Sequence, residues 1–287
     1  MNLKEIKQRI QSVKNTQKIT SAMKLVSAAK LRRSQGAIDG MLPYSRKLDE
    51  FLALSLNNTA SANIPLTAER EVKKVIIVAV ASDTGLCGTF NANIVRKAKE
   101  RTEYYISTDV EVEIIAIGRK MYDSMKKHGF MVHESAMKNV KTLEYMPVNA
   151  VATTLMQRFL SGEADRVELV FTHSLSASRQ QPVYEQLLPV LLSQETDLEQ
   201  QHATEFIIEP SREELLVSLL PKVVSLHLYT SLLDSAVAEH SSRMIAMQAA
   251  TENANDLIAE LTLEYNKGRQ QAITNEILDI VSGTANS

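Results

Sequence analysis

The chain has 287 residues, with 32 Lys and Arg against 34 Asp and Glu, and its formal net charge of -2 excludes binding to nucleic acid by bulk charge. Its one cysteine, Cys87, rules out an intrachain disulfide and argues against a thiolate zinc site. No run approaches the roughly 20 apolar residues of a membrane span, and Met1 leads straight into a charged amphipathic pattern, so a chain that is soluble and unsecreted, or held at a membrane only by something else, is expected.

The charge is unevenly placed. Over residues 1–33 nine basic side chains stand against Glu5 alone, a local balance of +8, while over residues 250–287 six acids meet two bases, or -4. Oppositely charged ends point to ends that meet or share a partner. No Gly or Pro interrupts residues 2–35, where Leu3, Ile6, Ile10 and Val13, then Ile19, Met23 and Val26, recur at three and four residues around a polar interlude at 15–18. This predicts a long helix with one apolar seam. Gly36, Gly40 and Pro43 should bend it without ending it, because residues 44–56 are again helix-compatible; residues 1–56 then span about 80 Å. Residues 57–71 have the composition of a linker.

From 72 to 210 the period changes to two and to short buried runs. Strands are expected at 72–81, 112–117, 166–172, 183–188 and 204–208, helices at 91–103, 119–128 and 148–160. Their alternation predicts a small α/β domain with helices on the faces of its sheet. Residues 211–287 form the last segment, and no Gly or Pro occurs over 222–267. Leu226, Tyr229, Leu233, Ala236 and His240, then Met244, Met247, Thr251, Ala254, Ile258, Leu261, Tyr265, Gly268 and Ala272, keep a three-four alternation with one four-four step at His240. That is a coiled-coil seam with a stutter, carried on a helix longer than about 100 Å, so the two ends of the chain are expected to form a rod.

Candidate chemistry is sparse. The stretch VIIVAVASDTGLCGTFN (residues 75–91) runs from a β-branched strand into a turn holding Gly85 and Gly88. It lacks the third glycine of GxGxxG and the Lys-Ser/Thr pair of GxxxxGK[ST], so a phosphate cradle is disfavoured, and a small nucleotide-binding α/β protein stands as the alternative. The six histidines are scattered, with no HExxH and no nucleophile elbow, and Thr172-His173-Ser174 suits a strand-to-loop turn better than a catalytic cluster. Glu213 and Glu214 lie on a solvent-facing helical pattern and need no acid-base role. The basic first helix has no Trp and no aromatic before Tyr44, against a membrane-surface role; a DNA-binding basic region would carry its zipper directly after it, where a sheet domain intervenes here. Packing on the acidic last helix, with a cationic face turned to a protein partner, uses both halves of the charge asymmetry.

Near the C-terminus Gly268 costs its helix about 1 kcal/mol relative to alanine, so something should gain from the missing side chain. Arg269, Gln270 and Thr274 put polar groups on neighbouring turns, followed by Ile273, Ile277, Leu278, Ile280 and Val281. An apolar helical end that outruns its partner marks an interaction site.

The stretches VKNTQKITSAMKLVSAAKLRRSQ (13–35), SDTGLCGTFN (82–91), EHSSRMIAMQAATENA (239–254) and YNKGRQQAITNEILDIVSG (265–283) resemble, in order, the most characteristic segments of the gamma-subunit family of F-type ATP synthases. The resemblance covers the whole length. It implies an antiparallel coiled coil of N- and C-terminal helices beside a central Rossmann-like α/β domain. The helices would stand inside a ring of three alpha and three beta subunits, with the foot on the membrane c-ring and epsilon bound there. Proton flow would turn ring and shaft, and the shaft's asymmetry would drive the catalytic beta sites in turn. The chain itself would be non-catalytic, without cofactor or metal, bind no nucleic acid, and meet the membrane only through the complex.

By motif, Arg269, Gln270 and Thr274 fall on positions that contact a beta-subunit loop near the top of the shaft. Met23 and Arg243, beside Met244, match shaft positions near the acidic beta lever, which Lys18, Lys24, Lys30, Arg32 and Arg33 would steer by charge. Cys87 lies in a loop beside the same lever. Phe206 and Glu209, in FIIEP, match the segment that meets the c-ring and epsilon. Gly268 and Gln271 depart from the family's usual alanine, Thr84 from an arginine and Asp279 from a glutamate. The absence of a transit segment and of an added cysteine pair fits a bacterial enzyme at the cytoplasmic face of the inner membrane.

Overall fold

The computed structural model describes residues 2–56, 64–134, 144–176, 178–191 and 211–285. Its elements are α1 (Leu3–Leu56), a 3-10 turn (Pro65–Thr67), β1 (Lys74–Val80), α2 (Phe90–Ser107), β2 (Glu111–Ile117), α3 (Arg119–Lys127), β3 (Val132–Glu134), α4 (Tyr145–Leu160), β4 (Arg166–Ser174), β5 (Gln180–Leu188) and α5 (Arg212–Ala285). Pro43 and Pro221 sit inside α1 and α5 without ending them. The short β3 was not expected, and the strand expected at 204–208 lies outside the described residues.

The chain divides into two compact units, one of residues 30–242 and one of residues 1–29 with 243–287. The larger holds a five-stranded sheet of order β3-β2-β1-β4-β5, parallel except for the antiparallel edge strand β5. Strand β1 is sealed on both faces, as a near-continuous Val/Ile run demands of a central parallel strand. Alternate residues serve alternate layers. Ile76 and Val78 join Leu169, Phe171, Phe159 of α4, and Leu220 and Leu228 of α5. Val75, Ile77 and Ala79 join Ile94 of α2 and Met121 and Met125 of α3. Each such side chain, fully buried, contributes about 1.5–3 kcal/mol.

One charged cluster lies within this packing. Glu168 of β4, 2% exposed, accepts Arg101 Nε and Nη2, both at 2.6 Å, and the Tyr105 hydroxyl at 2.5 Å. Burial first, then the carboxylate, raises the Tyr105 phenol above its usual range.

The smaller unit pairs the start of α1 with the end of α5. Thr20 Oγ1 and Thr251 Oγ1 are 2.8 Å apart, and a Cβ on Gly268 would stand 3.1 Å from Leu3 Cδ2. Seventeen residues back along one helix answer seventeen forward along the other, so the helices are antiparallel and in register. On α5 the buried or half-buried positions Met247, Thr251, Ala254, Ile258, Leu261, Tyr265 and Gly268 follow the expected seam, and from Arg269 to Ile280 every residue is exposed.

On α1 the seam departs from expectation after Val13. It continues through Gln17, Thr20 and Ser27, while Ile19, Leu25 and Val26 are 60%, 67% and 56% exposed. The hydroxyls tolerate burial because they satisfy themselves: Thr20 Oγ1 donates to Gln17 O or to Thr251, and Ser27 Oγ donates to Met23 O at 2.8 Å. One further expectation is corrected. By length and composition a stretch of α5 passes the test for a membrane-crossing helix, with mean hydropathy 1.4, although interspersed Ser, Thr and His hide it from a search for unbroken apolar runs. Half of that stretch is buried within the protein, which suits a core helix.

Candidate functional site

In open α/β sheets, ligands sit beyond the carboxyl ends of the strands where the strand order reverses. Here that place lies between β1, from which the chain builds β2 and β3 to one side, and β4 on the other. The loop after β1 is tightly held. Ser82 Oγ donates to Thr84 O at 2.6 Å, Ser82 N donates to Asn91 Oδ1, and Asn91 Nδ2 donates to Cys87 Sγ at 3.1 Å. Gly118, at φ +94°, lets the β2–α3 turn close on it, since a Cβ there would stand 2.0 Å from Ala81 O.

The crevice is filled by the chain's own α5. Ala238 packs with Cys87 and Phe90, and Ser242 Oγ donates to Cys87 O at 2.9 Å. At the end of β4, the Asp234 carboxylate accepts Ser174 N at 3.0 Å and pairs with His173 Nδ1. One edge further, His227 Nε2 lies 2.9 Å from Glu185 Oε2 on β5. That hydrogen bond, opposed by burial and helped by the charges of His227 and His173, holds the Glu185 carboxyl below the usual carboxylate range. At the end of β4 the backbone amide of Ser174 is thus already taken by the Asp234 carboxylate of α5. Among the described residues no three His, Cys, Asp or Glu side chains converge as metal ligands.

The residues singled out from the sequence fall into distinct settings. Arg269, Gln270 and Thr274 lie together on the exposed end of α5, where the Thr274 hydroxyl donates to Gln270 O at 2.9 Å. Lys18 is exposed and Met23 and Lys24 half-buried on α1; Arg243 is 7% exposed, in the same unit. Lys30 is exposed and belongs to the larger unit. Cys87 is 2% exposed, so the loop turns Asp83, Thr84, Gly85 and Leu86 to solvent rather than the thiol. Leu86 stands at φ 63° and is 64% exposed. Phe206 and Glu209 lie outside the described residues.

The contacts of His173, Glu185, His227, Asp234 and Ser242 were missed from the sequence. The available signal was His227 and Asp234 within residues 223–238, whose other side chains are aliphatic, Ala, Ser, Thr or Tyr; it is masked by the coiled-coil positions beside them.

The sequence pattern of the family described as ATP synthase matches residues 2–286. The ATP synthase gamma chain of Phocaeicola vulgatus is 46% identical over 285 residues, 99% of each chain. That of Bacteroides thetaiotaomicron is 44% identical over 294 residues, again 99% of each. Among solved structures, a chain of the Euglena gracilis mitochondrial ATP synthase (OSCP/F1/c-ring, rotational state 3) shares the fold with a TM-score of 0.64 at 18% identity, over 99% of this chain and 93% of that one. A chain of the Tetrahymena thermophila mitochondrial ATP synthase central stalk and c-ring aligns with a TM-score of 0.56 at 22% identity, over 81% and 99%. The chain belongs to the ATP synthase gamma-chain family.

Proposed function

We propose that the chain is the central rotor shaft of a bacterial F-type ATP synthase, coupling proton-driven rotation of the c-ring to ATP synthesis on beta subunits. It is non-catalytic itself. The observation that carries this reading is that one uninterrupted helix, α5, belongs to both units: its residues up to Ser242 are part of the α/β unit, and from Arg243 on it belongs to the unit in which it pairs with α1. A ligand crevice filled by α5 itself supports a mechanical role over a chemical one. The exposed end of α5, with Arg269, Gln270 and Thr274 followed by Ile273 and Ile277, suits the upper contact with beta subunits. Lys18, Lys24 and Lys30 suit an acidic partner surface, and Met23 and Arg243 are assigned to contacts with the same beta subunits. At the loop after β1, the contact passes through the exposed residues around Leu86, with Cys87 holding their shape. Three alpha and three beta subunits, epsilon and the c-ring are the partners, at the cytoplasmic face of the inner membrane, with Phe206 and Glu209 assigned to the epsilon and c-ring side.

The experiment is the native mass of the complex that co-purifies with a tagged copy from its host's membranes. One copy of this chain with three copies each of two larger subunits is expected. A free monomer, or ATP turnover by the purified chain alone, overturns the reading.

A further inference from the structure

We propose that one stripe of α5, formed by His227, Asp234, Ala238 and Ser242, is the joint that fixes this helix against rotation on the α/β unit, with Asp234 as its central positioning residue. The inference rests on the rotor reading and says where torque crosses between helix and sheet.

Spacings of seven, four and four residues place these positions on one side of the helix, along about 22 Å. Together they meet three parts of the α/β unit. His227 meets Glu185 on β5, Asp234 meets His173 and the Ser174 amide at the end of β4, and Ser242 meets the Cys87 carbonyl in the loop after β1. Ala238 lies between the last two, against Cys87 and Phe90. A helix held by aliphatic contacts alone can roll, because Leu and Val surfaces accept many near-equivalent packings. Hydrogen bonds weaken steeply with angle, so a roll that misaligns one of these contacts misaligns the others with it.

The two acid–histidine pairs also have opposite polarity. The sheet offers the base to Asp234 and the acid to His227. A slip of two helical turns would therefore bring Asp234 against Glu185, or His227 against His173, placing like groups together. The exposed members of these pairs, His173 at 49%, His227 at 39% and Glu185 at 45%, are too wet for the pairs to be major sources of stability. What they provide is direction.

The test uses the complete complex purified from the host. Asp234→Ala should leave assembly and ATP hydrolysis close to wild type and lower ATP-driven proton pumping per ATP hydrolysed by severalfold. His227→Glu, which faces Glu185, should lose part of the coupling, and the double exchange Glu185→His with His227→Glu should restore it, as a purely structural role would not require. Full coupling in the Asp234→Ala complex overturns the proposal, as does a double exchange that recovers nothing. If Asp234→Ala does not assemble, Asp234→Asn, which keeps an acceptor for the Ser174 amide, and the exchange pair decide by the same criteria. Failure of the rotor reading is distinguishable, because the wild-type chain would then be absent from any ATPase complex.

Discussion

In the α/β unit, Val75 to Ala79 are all at 0% exposure, whereas the two-helix unit buries Thr20 and Ser27 in its seam and leaves Ile19, Leu25 and Val26 more than half exposed. The sheet has two layers of helices to seal it, so its interior takes large aliphatic residues, and an internal charge survives only with its partners. A pair of helices has one seam, and most of each helix faces outward. Small residues and self-satisfied hydroxyls define that seam well enough, which releases apolar side chains on α1 for other surfaces. Burial therefore reports packing geometry in both units, but only in the sheet does it follow hydrophobicity closely.

The largest expected effect comes from breaking the sealed interior at Glu168, its buried carboxylate. Arg101→Ala strands the Glu168 carboxylate, whose side chain is 3% exposed, with the Tyr105 hydroxyl as its remaining donor among the described residues, and should cost about 3–5 kcal/mol in chemical denaturation of the chain. The Arg101–Glu168 pair and its hydrogen bonds hold the guanidinium charged more strongly than usual, so the loss falls on an interaction present at every working pH.

A second test acts through pH. Arg158 hydrogen-bonds Glu113 through both guanidinium amines, at 2.8 and 2.6 Å, and holds its carboxyl below the usual range; burial opposes this, and the charges of Arg158, His133 and Lys74 assist. A depressed folded pKa contributes stability that is fully present above the unfolded value of about 4.3 and is lost as pH falls through the lower folded value. The thermal midpoint of the α/β unit should therefore fall in acid below about pH 4, and Glu113→Gln should flatten that fall while lowering the midpoint at neutral pH. An unchanged acid slope in the variant would remove Glu113 from the account.

In the two-helix unit the effects should be smaller and of the other sign. Gly268→Ala gains up to about 1 kcal/mol of helix propensity, reduced by the few tenths of an ångström that the end of Leu3 must yield, so a modest rise in the melting of the helix pair is expected. Smaller still, Thr20→Val with Thr251→Val replaces both hydroxyls by apolar groups of similar shape and should shift stability by less than about 1 kcal/mol. A large loss from the double valine would mean that the hydroxyl contact, rather than the fit of small side chains, sets the register.

Much of this was legible in the sequence, and the failures share a cause. The long helices follow from missing glycines and prolines, the strands β1, β2 and β4 from runs of Val, Ile and Leu, and β5 from the β-formers Val183 and Tyr184 with Leu187 and Leu188. The three residues of β3, Val132, His133 and Glu134, carry no period to detect. Beyond Val13 the α1 seam leaves the apolar residues that mark it in the sequence, because the helical repeat leads through Thr20 and Ser27. Cys87 was expected at a contact surface, whereas its thiol is enclosed by Asn91, Phe90 and Ala238. That enclosure depends on a residue 151 positions further along the chain, and no local pattern announces such a neighbour.

The contact between Thr20 and Thr251 joins residues 231 positions apart. Closing so long a loop from a flexible chain costs on the order of 5 kcal/mol in entropy, more than a thin seam of small side chains readily supplies. The later part of α1 and the first part of α5 both belong to the unit folded in between, so once that unit forms, both helices leave it already anchored and most of the closure has been achieved. The two-helix unit is accordingly expected to zip last, after the sheet, growing outward along both helices. During synthesis residues 1–29 are made before the stretch from 243 onward that they pair with, and wait for it until the intervening unit has been made.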